Sequence, residues 1–226
     1  MTTLLAPTRS ARPTGWVPCA LIALMVLPAV AGTLRIVELA GGPLLLPANA
    51  RMTASPLPVV VHITSAVPYA VLGAFQFSAR LRRRHPRWHR VTGRLVVVLG
   101  LAVALSALWM TVFYARQPGS AELAFLFRLA FGSGMAACIL LGLASIRHGD
   151  VPAHQAWMTR AYALALGAGT QTITLGIAGA AFGTNVLAHD LGLGAAWALN
   201  LVAAEAVIRR RAADRTRRPT LLVGAS

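Results

Sequence analysis

Several residue types are scarce or missing in this sequence of 226 residues, and their scarcity excludes several kinds of protein. Asp and Glu together number six, which argues against a carboxylate-driven ion pump or a paired-carboxylate active site. The two cysteines, Cys19 and Cys138, both lie in apolar runs, so they supply neither a disulfide framework nor the spacing of a zinc site. The sequence also lacks a phosphate-binding glycine loop and a nucleophile elbow. No catalytic residue is therefore assigned.

Charged residues are scarce as well, and the positively charged ones are all of one type. Charged residues make up 12% of the chain and hydrophobic residues 57%, and all 21 basic residues are arginine. This balance excludes a water-soluble globular domain. The net charge of +15 does not indicate nucleic-acid binding, because most arginines lie in short segments beside apolar runs. The alanine-rich, lysine-free composition is typical of a high-GC bacterial genome, so we expect a multi-pass protein of the bacterial plasma membrane whose first partner is the lipid bilayer.

Six apolar runs are long enough to cross a bilayer, since a core of about 30 Å requires about 20 helical residues. They cover approximately residues 16–37, 59–79, 95–114, 123–146, 158–181 and 191–208. The sequence therefore predicts an all-α fold, an integral membrane bundle of six transmembrane helices over residues 16–208. A cytoplasmic tail, 1–15, precedes the bundle and a basic cytoplasmic tail, 209–226, follows it.

Two features qualify this division into spans. Pro68 predicts a kink or local break in the second span, because proline removes a helical hydrogen bond. The segment PAVAG at residues 28–32 has the small residues of a signal-peptide cleavage site. Removal of residues 1–32 is the alternative to an uncleaved first helix.

The arginines predict the orientation of the bundle. The stretch Arg80 to Arg94, RLRRRHPRWHRVTGR, holds seven of them. In the predicted topology seventeen arginines lie on the side of the two termini, and three lie on the other side, namely Arg35, Arg51 and Arg116. Because cytoplasmic loops retain positive charge, both termini are predicted to be cytoplasmic.

The six histidines fall into two layers in this topology. His62 and His189 lie at the outer face, and the inner layer consists of His85, His89, His148 and His154. His89 directly precedes the third span and His154 the fifth, so each can direct its imidazole into the bundle from the start of a helix.

Two imidazoles from different helices at one depth are what a six-coordinate haem iron requires. We therefore expect haem b, with His89 and His154 as iron ligands of an inner site and His62 with His189 at an outer site. The two ends of the second span are separated by roughly 25 Å at about 1.5 Å per residue. Haems at these depths would form a transmembrane electron path.

Two alternatives use the same histidines differently. Histidines at membrane interfaces are commonly solvated and bind nothing. His85 and His89 are four residues apart and would share a helix face if the helix begins at Pro86, a spacing that suits zinc. Carboxylates and thiolates are missing nearby, however, and the surrounding arginines repel a cation.

Other polar residues lie within the apolar runs. Arg128 is expected either to pair with Asp190 or a haem propionate, or to extend to the outer interface. Glu205 is expected to pair with Arg209 one turn later. Gln171 is expected to bond a neighbouring helix, with a quinone or substrate contact as the alternative.

Three segments carry a resemblance to a known family: GAFQFSARLRRRHPRWHRVTGRL, IRHGDVPAHQAWMTRAYAL and WALNLVAAE. Together with His62 they resemble the bacterial membrane proteins grouped as domain of unknown function 2306, over roughly residues 59 to 208. The resemblance implies a multi-helix integral membrane fold. The segment WHRVTG is also similar to the histidine arrangement of two-haem transmembrane b-type cytochromes. Those proteins place all ligands within four consecutive helices, whereas the outer pair here joins the second and sixth spans.

Two functions follow as hypotheses. The first is a haem-binding redox protein that moves electrons across or along the membrane, to quinone or another redox partner. The second is a non-redox permease or scaffold without a cofactor, which Pro68 and the glycine-rich fifth span favour.

Overall fold

A computed structural model describes residues 16–115, 122–183 and 185–216. In these ranges the chain is all-α, as predicted, with ten helices and no strand. The predicted tail 1–15, residues 217–226 of the basic tail and most of the expected outer connection ARQPGSAE lie outside the described residues. The helices in chain order are α1 Val17–Leu24, α2 Val26–Leu39, α3 Ala50–Ala54, α4 Pro56–Gln76, α5 Ala79–Arg84, α6 Pro86–Phe113, α7 Glu122–Arg147, α8 Val151–Ala165, α9 Gly167–Phe182 and α10 Val186–Thr216.

Four of the described helices, α4, α6, α7 and α10, are each long and apolar enough to cross a membrane. Two further pairs, α1 with α2 and α8 with α9, pass the same test together and are each bent by 45° at a short break. The described residues therefore supply four spans, or six if each bent pair crosses as one. This is the membrane-spanning architecture that the apolar runs predicted.

The two bends have local causes. Pro28 has no N–H to offer the carbonyl of Leu24, and its ring crowds that carbonyl, so the helix breaks at Met25. At the second bend, the indole of Trp197 occupies the space where a side chain on Gly167 would lie. Trp197 Nε1 donates a hydrogen bond to Leu164 O at 3.1 Å.

A kink or a local break was expected at Pro68, and the break does not occur, because α4 continues through it from Pro56 to Gln76. α4 packs against both α1 and α6, and neighbouring helices can support the path of a helix that contains a proline. The position of a proline in an apolar run therefore did not by itself identify the helix that breaks.

Much of the arginine-rich stretch is helical. Ser78 caps α5, and its Oγ accepts a hydrogen bond from Leu81 N at 3.3 Å. A new helix, α6, begins at Pro86, the position in a helix where a missing N–H costs nothing. We call the end of the bundle that carries α5, the α7–α8 turn and the last turns of α10 the arginine end, and the opposite end the distal end.

The buried core lies among α4, α6, α7 and α8, where glycines let large side chains approach a helix backbone. The ring of Tyr69 and the side chain of Ile139 both pack at Gly100, and the ring of Tyr162 lies against Gly73. The Tyr162 hydroxyl donates to Ala70 O at 2.6 Å. These contacts fix α8 against α4 and so determine where residues at the start of α8 lie.

Candidate functional site

A cavity of about 580 Å³ lies within the bundle and extends to its distal end. Its volume is within the range of roughly 300 to 1,000 Å³ that is usual for sites binding small molecules and cofactors. Both helix bends contribute to its wall, through Met25 and Leu166. Most of the lining is apolar, and its nitrogen-bearing polar side chains are Asn49, Arg51, His62, Arg128, Gln171 and Trp197.

His62 is the histidine of this cavity, and its ring is held by α6. Its Nδ1 lies 3.2 Å from Val103 O and 3.1 Å from Ser106 Oγ. The serine hydroxyl itself donates to Ala102 O at 2.6 Å. Because a carbonyl oxygen only accepts, we assign the ring hydrogen of neutral His62 to Nδ1. The lone pair on Nε2 is then free to accept a hydrogen bond or to bind a metal.

Two arginines line the same cavity. Arg51 is held in place, since its Nη1 donates to Ala115 O at 3.1 Å and its Nε to Asn49 Oδ1 at 3.2 Å. Arg128 lies within electrostatic range of Arg51 and of the buried Asp190. It makes no ion pair or side-chain hydrogen bond with any other described residue. Because no Asp or Glu is among the described lining residues, the cavity has positive charge and suits a ligand with an anionic group.

Asp190 does not form the ion pair with Arg128 that was one expectation. Its carboxylate is fully buried, and Oδ2 accepts a hydrogen bond from Ala124 N at 2.9 Å. The other oxygen, Oδ1, lies 3.2 Å from His189 Nδ1. Both carboxylate oxygens are thus engaged at the start of α7 and α10, and the guanidinium of Arg128 remains at the cavity wall.

His189 is not among the residues that line the cavity. It lies in the first turn of α10, and its side chain is 48% exposed. The structure therefore does not bring His62 and His189 into one cavity. Nδ1 of His189 faces the carboxylate of Asp190, and Nε2 of the same ring does not.

The inner pair lies at the arginine end. His154 is in the first turn of α8, which Asp150 caps by accepting a hydrogen bond from Ala153 N at 2.9 Å. Nδ1 of His154 lies 2.8 Å from Gly142 O, so its Nε2 is also free in the neutral ring. His89, in the first turn of α6, lies within electrostatic range of His154 and of Arg82. The predicted pair thus lies at one end of the bundle, on two different helices.

The remaining histidines do not join either group. His85 precedes α6 and is exposed, and His148 is exposed at the end of α7. The zinc alternative needs further ligands beside His85 and His89. Over the described ranges, no group of three or more His, Cys, Asp or Glu side chains is placed to hold a metal ion.

Some cavity residues were not identified from the sequence. Four of the six methionines line the cavity: Met25 at the break between α1 and α2, and Met52, Met110 and Met135 from three further helices. The amide Nε2 of Gln171 is buried without a hydrogen-bond partner in the described structure, which favours the ligand-contact alternative for this residue. No sequence signal distinguishes these methionines, because only the packing of the helices determines which face of each lines the cavity.

Glu205 pairs with Arg160 of α8, and the predicted pairing with Arg209 is wrong. Arg160 Nε lies 2.5 Å from Oε1 and Nη2 lies 3.1 Å from Oε2, so the contact is bidentate. The guanidinium also stacks on Trp157, 4.7 Å from the ring centroid. A planar two-point contact between helices is stronger than a flexible pair one turn apart.

Comparison with known proteins gives one match. A family model described as "Predicted membrane protein (DUF2306)" matches residues 59–208. This range includes the inner histidine pair, His62, Arg128 and His189, and it excludes α1 to α3. No curated protein and no solved structure matches the chain.

Proposed function

The chain belongs to the DUF2306 family of predicted membrane proteins, and we propose that this membrane protein binds b-type haem and moves electrons across or along the membrane. One observation carries the proposal. A single apolar cavity contains His62, with Nε2 free, together with two arginines and no described carboxylate.

The residues of the cavity fit the chemistry of haem b. This cofactor is a flat apolar macrocycle with two carboxylates at one edge, and it supplies one-electron chemistry at an iron that binds imidazole. His62 would hold the iron through Nε2, and Arg51 and Arg128 would hold the carboxylates. His189 lies outside the lining, so the cavity methionines are the further side chains that would hold the iron.

His89 and His154 would hold a second haem at the arginine end. Support comes from their position at one end of the bundle, within electrostatic range of each other, and from the Gly142 carbonyl that orients the His154 ring. His62 contacts α6 at Val103, and His89 lies about 21 Å earlier along the same helix at about 1.5 Å per residue. Two haems at these positions would connect the two ends of the bundle. Quinone, which is confined to the bilayer, is the small redox partner that we expect.

The test is a haem spectrum. The protein is expressed with sufficient haem, purified in detergent, and measured as a reduced-minus-oxidised difference spectrum with haem quantified per chain. His62→Ala should remove the haem of the cavity, and His89→Ala or His154→Ala should remove the inner haem. His148→Ala, an exposed histidine, is the matched control and should retain full haem content. Absence of haem absorbance in the unaltered protein would disprove the proposal.

Arg128→Gln gives a second readout that a purely structural role would not change. Removing a positive charge beside a haem carboxylate should lower the reduction potential of the bound haem, because reduction adds an electron. Arg35→Gln at the same end is the control, since Arg35 pairs with Glu38 at 2.7 Å and does not line the cavity. Equal potentials in both variants would contradict the assignment of Arg128 to the haem edge.

A non-redox permease is the second candidate, and the two bent helices favour it. The carbonyl of Leu24, next to the bend of the first pair, lies against Gly169 just after the bend of the second. Both bends line the cavity, and discontinuous helices form the binding sites of many transporters. A colourless protein that takes up a compound, or that a compound stabilises against heat, would support this candidate and exclude the redox one.

A further inference from the structure

The cavity reaches the surface of the bundle at the two helix bends. Of the described residues that line it, two are exposed, Val26 and Ala168. Val26 is the first residue of α2 and Ala168 the second of α9, so each directly follows a bend. The carbonyl of Leu24 lies against Gly169, which places the two bends side by side. Because a residue that both lines a cavity and is exposed lies at its edge, we call this part of the wall, at Val26 and Ala168, the lateral opening.

The lateral opening lies at the depth of the lipid tails. Of the four helices that flank the two bends, α1 is the shortest, with 8 residues, which is about 12 Å at about 1.5 Å per residue. With each bent pair crossing as one span, both bends therefore lie inside a hydrocarbon core of about 30 Å. A compound that reaches the cavity through this opening comes from the bilayer and not from water.

Gln171 places a hydrogen-bond donor beside this opening. It lies two residues after Gly169, lines the cavity, and has a buried Nε2 without a partner in the described structure. A buried donor without an acceptor costs free energy, and lipid tails have no acceptor to offer. A ligand with an acceptor oxygen would satisfy this amide.

The residues proposed to hold haem lie nearer the distal end than this amide. His62 and Arg128 each lie six residues from the distal end of their helix, and Gln171 lies eleven residues from the distal end of α9. The difference corresponds to about 7 Å along a helix. Gln171 therefore lies deeper in the bundle than the imidazole and the guanidinium.

The cavity wall also suits a flat ring. Five aromatic side chains line it, namely Tyr69, Tyr114, Phe131, Tyr162 and Trp197. Trp197 packs at the second bend, where its indole lies against Gly167, and its ring centroid is 4.9 Å from that of Phe131. Stacking on aromatic faces favours a planar ligand over an acyl chain.

We propose that a quinone dissolved in the bilayer enters through the lateral opening, and that Gln171 Nε2 donates a hydrogen bond to one of its carbonyl oxygens. A quinone combines solubility in lipid, a planar ring and an acceptor oxygen at the edge of that ring. Its apolar tail stays in the bilayer, so only the ring has to enter the cavity. The role of the quinone rests on the proposed redox function, whereas its binding needs no haem.

The experiment measures ligand binding to the purified full-length protein by isothermal titration calorimetry at a fixed detergent concentration. The probe is a benzoquinone with a decyl tail. Decylbenzene has the ring and the tail but no acceptor, and it should bind about tenfold more weakly. Methyl decanoate has an acceptor but no ring, and it should also bind more weakly than the quinone. An affinity for either compound equal to that for the quinone would overturn the proposal.

Gln171→Leu removes the donor and keeps a side chain of similar size. It should weaken quinone binding about tenfold and leave the affinity for decylbenzene unchanged. Thr172→Val is the control, because Thr172 is the next residue of the same helix and does not line the cavity. Unchanged quinone affinity in Gln171→Leu would refute the assignment of this residue.

A second pair of variants tests the lateral opening. Val26→Phe places a bulky ring there and should slow quinone association, measured by stopped-flow quenching of tryptophan fluorescence. Val30→Phe, one turn later in α2, is the control, since Val30 is as exposed as Val26, at 52% against 51%, and does not line the cavity. Both positions are exposed, so this comparison does not depend on the folding of Gln171→Leu. Equal association rates in the two variants would show that quinone does not enter at the bends.

Haem content separates this site from the proposed function. Gln171→Leu should retain full haem content, because Gln171 supplies neither an iron ligand nor a positive charge. A protein that lacks haem but binds quinone through Gln171 would support the site and disprove the redox function. A haem-bearing protein whose quinone affinity does not depend on Gln171 would do the reverse. Loss of haem in Gln171→Leu would assign the residue to the haem site and overturn the proposal.

Discussion

Asp190 accepts a hydrogen bond from the backbone N–H of Ala124, at 2.9 Å between Oδ2 and N. The two residues are 66 positions apart, so a carboxylate from α10 serves as the cap for the start of α7. The first N–H groups of a helix have no partner within the helix, and negative charge there is favourable. This contact fixes the distal ends of two spans and determines where Arg128, one turn further along α7, meets the cavity.

Asp190→Ala should destabilise the protein. It removes a fully buried acceptor and leaves the N–H of Ala124 without a partner, which costs about 1 to 3 kcal/mol. For a chain of this size the Tm should fall by about 2 to 4 °C per kcal/mol. The measurement is thermal unfolding in detergent, with Asp214→Ala, an exposed carboxylate on the same helix, as control. Equal Tm values for the two variants would show that the buried contact contributes nothing.

Gly169→Ala should destabilise the contact between the two bent pairs. A Cβ at this position would collide with the backbone carbonyl of Leu24, and overpacking of this kind costs typically about 1 to 3 kcal/mol. Gly176→Ala, in the same helix, meets no atom within 4 Å. It should be neutral or stabilise the helix by up to about 1 kcal/mol. Thermal unfolding curves of the two variants give their Tm values. A lower Tm for Gly176→Ala than for Gly169→Ala would refute the predicted clash with the Leu24 carbonyl.

The Arg160–Glu205 pair should show coupling in a double-mutant cycle. The contact is bidentate, but the side chains are 25% and 36% exposed, so solvent screening limits the coupling to about 0.5 to 1 kcal/mol. The cycle uses Arg160→Gln and Glu205→Gln, with unfolding free energies as the readout. A parallel cycle with Arg209→Gln should give weaker coupling, because Arg209 makes no hydrogen bond to Glu205 and acts on it only through its charge. Stronger coupling to Arg209 would restore the pairing first expected from the sequence.

The cytoplasmic location of both termini stays a prediction, and reporter fusions test it. Green fluorescent protein fused after residue 226 should fluoresce, because it folds in the cytoplasm. Alkaline phosphatase fused after residue 48, in the loop between α2 and α3, should be active, because it requires the oxidising side of the membrane. The opposite pattern of activities would reverse the orientation inferred from the arginines.

The architecture was predictable from the sequence, since apolar runs of about 20 residues have few other uses in a protein. The family resemblance was predictable from the segments around His89 and His154, and the family match confirms it. The start of α6 at Pro86, which the sequence analysis raised only as a condition of the zinc alternative, agrees with the preference of proline for the first helical turn. These are local properties, which depend on neighbours in the chain.

The site was only partly predictable. His62 and Arg128 were identified as polar residues in apolar runs, and they do line one cavity. The exclusion of His189 from that cavity, the burial of Gln171 Nε2 and the four methionines were not predictable. Each depends on which face of a helix points inward, and in a membrane span the apolar pattern does not reveal that face because lipid and protein core are equally apolar.

By itself, the sequence determined that this protein is a helical membrane bundle, and it determined which polar residues must be accommodated within it. Only the tertiary structure decided their partners: Asp190 caps α7, and Glu205 pairs with Arg160. The physical reason is range. Burial in lipid and helix formation depend on the residues of one continuous segment. A hydrogen bond or a charge contact between two helices depends instead on how each helix is rotated about its axis and on its depth in the bundle. Packing at residues such as Gly73 and Gly100 sets those two quantities.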